Sequence, residues 1–230
     1  MQSFTSWLQQ LDFSFVLEYG IIIAASLLCI MFHEVSHGLT ALKLGDPTAK
    51  DAGRLTFNPI KHVDIFGLLA MAIFRFGWAK PVPINMRNFK HPVRDMAITA
   101  AAGPLSNVVL AYLALCIRAA ALYFSIRSGS AVAGFLVTFF EYVAVLSVGL
   151  AVFNVIPIPP LDGSKVLNAL LPREVYYKIL RYERYGFLLM IVVLYLGVLN
   201  APLSFCRNAL MNGLMRISGF PFYLLQHFFG

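Results

Sequence analysis

Charge is scarce in this chain. Only 13% of its 230 residues are Asp, Glu, Lys or Arg, about half the share usual in soluble domains. Hydrophobic residues make up 59% and the mean hydropathy is +0.74. A soluble fold hides a large core but not most of its residues. The pairing therefore excludes an ordinary soluble domain and describes a polytopic membrane protein. The net charge is +7, yet there is little polar surface on which to gather it. That excludes the basic face of a nucleic-acid binder, and the Lys and Arg residues read as determinants of membrane topology. Cysteine is scarce too. Cys29, Cys116 and Cys206 form no Cys-x-x-Cys pair and sit in apolar surroundings, so they read as small buried hydrophobes. The N-terminal stretch "MQSFTSWLQQLDF" holds no Lys or Arg. It lacks the basic region of a cleaved signal peptide, and the first helix is expected to remain in the mature protein. No internal repeat and no low-complexity linker is present. The chain reads as one membrane-embedded domain over residues 1–230, with its core at about 15–170 and C-terminal helices in 171–230.

What is there begins with apolar runs. A span needs about 20 apolar residues, and four segments qualify: about Phe15 to Leu44, Ala97 to Phe124, Val132 to Ile156, and Tyr185 to Leu199. The fourth is short. The tail that follows, apolar but broken by Pro202, Gly213, Gly219 and Pro221, reads as interfacial. Between the first two spans, "IFGLLAMAIF" is too short to cross and reads as re-entrant or interfacial. Its flanks "GRLTFN" and "WAKPVPIN" are candidate strands. The expected fold class is thus an all-α polytopic membrane protein. It has about four transmembrane helices, a re-entrant or β-like loop and a C-terminal apolar tail.

Charge sets the orientation. Segments Lys43–Arg94 and Lys165–Arg184 hold fourteen of the eighteen Lys and Arg residues, and none precedes Lys43. Excess basic residues mark cytoplasmic loops. Both rich segments fall on the cytoplasmic side, which four spans allow, and the N-terminus lies outside.

The densest chemistry is "FHEVSHG", residues Phe32 to Gly38, at the end of the first apolar run. On a helix, His33 and His37 stand one above the other on one face. Two imidazoles so placed can share a tetrahedral ion, and Glu34 beside them can take a proton from water. The bland alternative is a polar helix end with two satisfied histidines. Three ionisable groups at an apolar helix end are costly unless they are used. A third ligand must come from the same membrane side. Asp162, in "FNVIPIPPLDGSKVL" at the cytoplasmic end of the third span, meets that condition. Pro157, Pro159 and Pro160 prevent a regular helix there, leaving backbone free to bind an extended peptide. Gly163 is expected to let the chain turn after Asp162. Two imidazoles and a carboxylate favour Zn²⁺ by ligand type.

These motifs carry a resemblance. "HEVSH" on a first hydrophobic helix and "NVIPIPPLDG" on a later one resemble the site-2 protease family, intramembrane zinc metalloproteases that cleave transmembrane helices. Asn154, Pro157, Pro159, Asp162 and Gly163 match the family pattern Asn-x-x-Pro-x-Pro-x-x-Asp-Gly position by position. "GRLTFNPIKHVDIFG", "GWAKPVPIN" and "AAGPLSN" are similar to further signatures of the compact bacterial type. The match covers about Gly20 to Leu170. The resemblance implies His33, His37 and Asp162 as zinc ligands and Glu34 as the catalytic acid and base. It implies that Asn154 holds the substrate or the developing oxyanion. The implied partners are a transmembrane protein substrate and the lipid bilayer, not nucleic acid, and no feature sets an oligomeric state. The implied location is the bacterial inner membrane, multi-pass, with the active site toward the cytoplasm. No inserted stretch is long enough for a PDZ or CBS domain. The competing reading is a catalytically silent binding protein or transporter that kept the metal site. Intact Glu34 argues against it.

Other polar residues have milder expectations. Glu141 inside the third span reads as paired or snorkelling. His62 and Asp64 read as loop-capping groups or as neighbours of the site. Asn107 is expected to bond a neighbouring helix or line the cleft. Gly38, Gly103 and Ser106 allow close helix approach. Trp78 and the aromatic tail suit interface anchoring. The run "PREVYYKILRYERYG" reads as an amphipathic cytoplasmic helix.

Overall fold

The computed structural model describes residues 14–64 and 80–229. Helix α1 spans Ser14–Lys43 and α2 spans Thr48–Asp51. Two 3₁₀ turns follow at Pro59–Lys61 and Met86–Asn88. Then come α3 (Pro92–Ser128), α4 (Ala131–Asn154), α5 (Asp162–Asn168), α6 (Arg173–Tyr195), α7 (Asn200–Ser218) and α8 (Phe220–Phe229). The structure is 79% helical, with no strand among the described residues.

Three helices, α1, α3 and α4, are long and apolar enough to cross a membrane. A fourth crossing arises if Tyr185–Tyr195 and Asn200–Phe229, which meet at a bend of 88°, count as one broken span. The expected span boundaries hold within a few residues for the first and third helices. The fourth differs in form. The charged run after Pro172 and the apolar run after Tyr185 make one continuous helix, α6. No proline or glycine cap separates the two runs, and Gly186 lies inside the helix.

The core lies where α1, α3, α4 and α7 meet. Ala25, Ala111, Ala114 and Ala144 are buried there beside Cys29, Val143, Val148 and Leu214. Alanine at facing positions lets helix axes approach closely, and dispersion replaces the hydrophobic drive that lipid does not supply. Cys29 is a packed hydrophobe as expected, its Sγ 3.0 Å from Ser147 Oγ. Cys206 is exposed instead. It sits on α7 and is not a member of the core cluster. Glu141 pairs with Arg118 at 3.3 Å.

The candidate strands take another form. Asn58 and Thr56 turn their side chains onto local backbone N–H groups, Ile60 and Asn58 respectively. Such bonds compete with a ladder, and Pro59, Pro81 and Pro83 have no N–H to give one. The two flanks still touch. Lys80 N–H donates to the His62 carbonyl at 2.9 Å, and the Arg54 guanidinium donates to the Lys80 carbonyl at 2.7 Å. The "IFGLLAMAIF" segment and Trp78 lie outside the described residues, as does the N-terminal stretch before residue 14.

Asp46 anchors this loop region to the end of α1. Its carboxylate accepts from the Asn85 N–H and from Asn88 Nδ2, each at 2.7 Å, and from the Thr48 hydroxyl and N–H. The residue is fully buried. Burial works against its charge, but these donors more than offset that and hold its carboxyl below the usual carboxylate range.

Candidate metal centre

The third turn from the end of α1 carries His33, and the next carries His37. Their spacing of four brings the rings into an edge-to-face pair with centroids 4.6 Å apart. Nε2 of one lies 3.0 Å from Nε2 of the other. Asp162, the first residue of α5, completes a triangle. Its Oδ2 is 3.1 Å from each of the two nitrogens. All three residues are buried.

The long helix α3 builds the floor. Thr99, Gly103 and Asn107 recur every four residues and are all buried on the face turned to α1. The Thr99 carbonyl takes the Nδ1–H of His37 at 2.7 Å. A carbonyl only accepts, so in neutral His37 the free lone pair sits on Nε2, facing the triangle. Asn107 places its amide 3.3 Å from His33 Nδ1. Gly103 lies directly under both rings. A Cβ there would stand 2.3 Å from His37 Nε2 and 2.7 Å from His33 Cε1.

The triangle fits a metal. Asp162 Oδ2 is buried without a satisfied hydrogen bond, although two imidazole nitrogens lie 3.1 Å away. Acceptor atoms facing one another at such distances repel unless a cation lies among them. A zinc tetrahedron with arms of about 2.0–2.1 Å has edges of about 3.3–3.4 Å, close to those observed. Burial disfavours a charged Asp162. With no cation there, protonated His33 and His37 imidazoles would outweigh that and hold its carboxyl well below the ordinary carboxylate range. A carboxylate is the form that binds metal.

A cavity of about 160 Å³ adjoins the triangle, with Glu34, Val82, Asn154 and Lys165 on its walls. Glu34 Oε2 accepts the backbone N–H of Val82 at 2.8 Å. Asn154 ends α4 and turns Nδ2 back to the Leu150 carbonyl at 3.0 Å. One proton of that amide nitrogen remains for another acceptor.

Each sequence-predicted site residue therefore reaches one place. His33, His37 and Asp162 form the triangle, while Glu34 and Asn154 line the cavity beside it. His62 does not join them. It is buried, and its Nε2–H donates to the Thr56 carbonyl at 2.8 Å, which staples the loop. Gly163 plays a different part from the expected one. Its φ is not left-handed. A Cβ there would meet the Val155 carbonyl oxygen at 2.0 Å, so space rather than turning demands glycine. Sequence reasoning missed the Val82 N–H and the Thr99 carbonyl. Both are backbone groups, which no side-chain pattern announces.

The model of peptidase family M50 matches residues 119–199, which include Asn154 to Gly163. The chain is 39% identical to "Putative zinc metalloprotease YwhC" of Bacillus subtilis over 161 residues, 70% of this chain and 74% of that protein. It is 31% identical to "Putative zinc metalloprotease Rip2" of Mycolicibacterium smegmatis over 194 residues, 81% of this chain and 71% of that protein. No solved structure matches the chain. A helical membrane architecture, a buried triangle of metal-binding side chains and these relatives converge: the chain belongs to peptidase family M50, the site-2 protease family of zinc metalloproteases.

Proposed function

We propose that this protein is a single-domain intramembrane protease that hydrolyses peptide bonds of transmembrane substrates near the cytoplasmic membrane face. In this reading it is a multi-pass protein of the bacterial inner membrane with its N-terminus outside. The observation that carries the proposal is the buried triangle of His33, His37 and Asp162 at the end of an apolar helix. These three residues would hold Zn²⁺, which supplies Lewis acidity and lowers the pKa of water at the site.

The chain's own groups do the rest. Glu34 takes the proton of the attacking water and returns it to the leaving amine, the acid–base role that its place on the cavity wall supports. The Val82 N–H fixes the carboxylate so that one oxygen faces the cavity. Asn154 donates its remaining amide proton to the oxygen of the scissile carbonyl, a contribution typically worth about 2.7–4 kcal/mol. A substrate helix must first unwind, because helical carbonyls are already hydrogen-bonded. Two irregular segments border the cavity, one through Pro81 and Val82 and the other through Pro160, and their carbonyls can accept from an extended strand. Proline limits how far either can pair with its own neighbours. Thr99 and Asn107 keep the imidazoles in register beneath. The family and the relatives, named as zinc metalloproteases, do not favour the binding or transporter reading.

The test is cleavage of a model transmembrane substrate in liposomes, with the products sequenced. Cleavage within or next to the membrane segment, lost in Glu34→Gln, is expected. No cleavage across varied substrates by a zinc-loaded enzyme would overturn the proposal.

A further inference from the structure

A second cavity, of about 320 Å³, lies on the loop side of the protein and shares no lining residue with the metal centre. Its walls include Arg54, Lys61, Lys80, Ile60, Val63 and Pro83. Three of these are cations, and no Asp or Glu lines the cavity among the described residues. None of the three cations forms an ion pair among the described residues.

Arg54 is the unusual member. Its residue is only 7% exposed, yet among the described residues no carboxylate pairs with it. One hydrogen bond holds it, from Nη2 to the Lys80 carbonyl at 2.7 Å, and Nε is buried without an acceptor. A guanidinium is never neutral in a protein, and burying it without a counter-charge is costly. A planar fork with open donors matches a phosphate oxygen pair. Lys61 and Lys80 are exposed at the rim and add charge without rigid geometry.

The rim is also apolar. Ile60 is 81% exposed at the cavity edge. Phe57, 58% exposed, lies nearby with its ring 5.3 Å from that of Phe32 on α1. Large exposed apolar side chains beside one buried and two exposed cations fit a boundary between headgroups and acyl chains, not open water. The segment also lies directly after a membrane-spanning helix, where an anionic leaflet attracts basic loops.

We infer that the Arg54–Lys61–Lys80 cavity is a binding site for the phosphodiester headgroup of an anionic lipid. Arg54 receives two phosphate oxygens, the lysines neutralise the rim, and Ile60 rests on the first methylenes of the acyl chains. Bound lipid would hold the loop that carries Val82 against Glu34, since Lys80 is two residues from Val82.

Calorimetric titration of the full-length, zinc-loaded protein in neutral detergent tests this. The probes are short-chain phosphatidylglycerol, short-chain phosphatidylcholine and inorganic phosphate. Phosphatidylglycerol is expected to bind at least about tenfold more tightly than either of the others. Arg54→Gln should weaken it by about tenfold or more, the scale of lost hydrogen bonds to a charged group. The double variant Lys61→Ala, Lys80→Ala changes only exposed side chains. It should weaken binding while zinc content stays unchanged. Equal binding of the two lipids would overturn the inference, as would unchanged affinity in the double variant. Inorganic phosphate binding as tightly as phosphatidylglycerol would overturn the lipid assignment in favour of a soluble anion.

Discussion

Glu34 and Val82 are 48 residues apart in sequence and joined by one hydrogen bond, from the Val82 N–H to the Glu34 carboxylate at 2.8 Å. The bond ties the end of α1 to the irregular loop and fixes the carboxylate at the cavity wall. Glu34→Gln keeps an acceptor oxygen for Val82 but removes the proton-accepting carboxylate. Cleavage should fall by at least about a hundredfold, with zinc content by elemental analysis unchanged. Val82→Pro deletes the donor and leaves Glu34 intact. It should lower the cleavage rate by about tenfold through a freed carboxylate, with zinc content unchanged. An undiminished rate would mean that the bond does not position Glu34.

Gly103 lies against both imidazoles of the triangle. An added methyl would stand 2.3 Å from His37 Nε2 and 2.7 Å from His33 Cε1, so the rings would have to shift. Gly103→Ala should therefore reduce zinc affinity by at least about tenfold, read by competition with a chelator. Gly134→Ala is the control, because its new methyl meets nothing nearer than Ser125 Oγ at 3.7 Å. Normal zinc affinity in Gly103→Ala would contradict the packing described.

Asn107 is fully buried with Oδ1 unpartnered and its amide 3.3 Å from His33 Nδ1. Turned over, the amide would accept the Nδ1–H of His33 and leave the Nε2 lone pair to the metal. Asn107→Leu should lower zinc affinity about 10–100-fold, the usual cost of losing such a support. Asn107→Asp keeps an acceptor and should retain most of the affinity. Equal loss in both variants would mean that Asn107 serves packing alone.

Asp46 predicts a pH dependence of stability. Its carboxyl is held below the usual range by the donors of Thr48, Asn85 and Asn88. A group whose folded pKa is depressed stabilises the fold above its unfolded pKa, about 3.9. That contribution fades as pH falls through the lower folded value. Asp46→Asn loses acceptors for buried donors and should destabilise by about 1–3 kcal/mol at pH 7. The difference between the thermal melts of the two proteins should shrink as the pH is lowered below about 3.9. Identical melting at pH 7 would remove Asp46 as the anchor of the loop.

Much of the site was legible because it rests on side chains with a chemical signature. His33 and His37 share a helix face by spacing alone, and Asp162 joined them once loop charge had oriented the spans. The groups that hold them were harder to read. The Thr99 carbonyl and the Val82 N–H are present in every peptide unit, so only the folded chain selects them. The fold divides the same way. Apolar length marks α1, α3 and α4. The flanks of the loop resembled strands by composition, but the side chains of Thr56 and Asn58 bind their own backbone first. Helix α6 crosses from a charged run into an apolar one without a break, because helical hydrogen bonding is indifferent to that change in polarity.

One zinc ion held by His33, His37 and Asp162, residues from two distant motifs, would organise the site, and X-ray absorption at the zinc edge of the purified protein tests this most directly. The spectrum should show one zinc per chain with two imidazoles, one carboxylate oxygen and one further light ligand at about 2.0–2.2 Å. Asp162→Ala should lose that oxygen or the zinc itself. Sulfur in the coordination shell, or a spectrum unchanged in Asp162→Ala, would contradict the account.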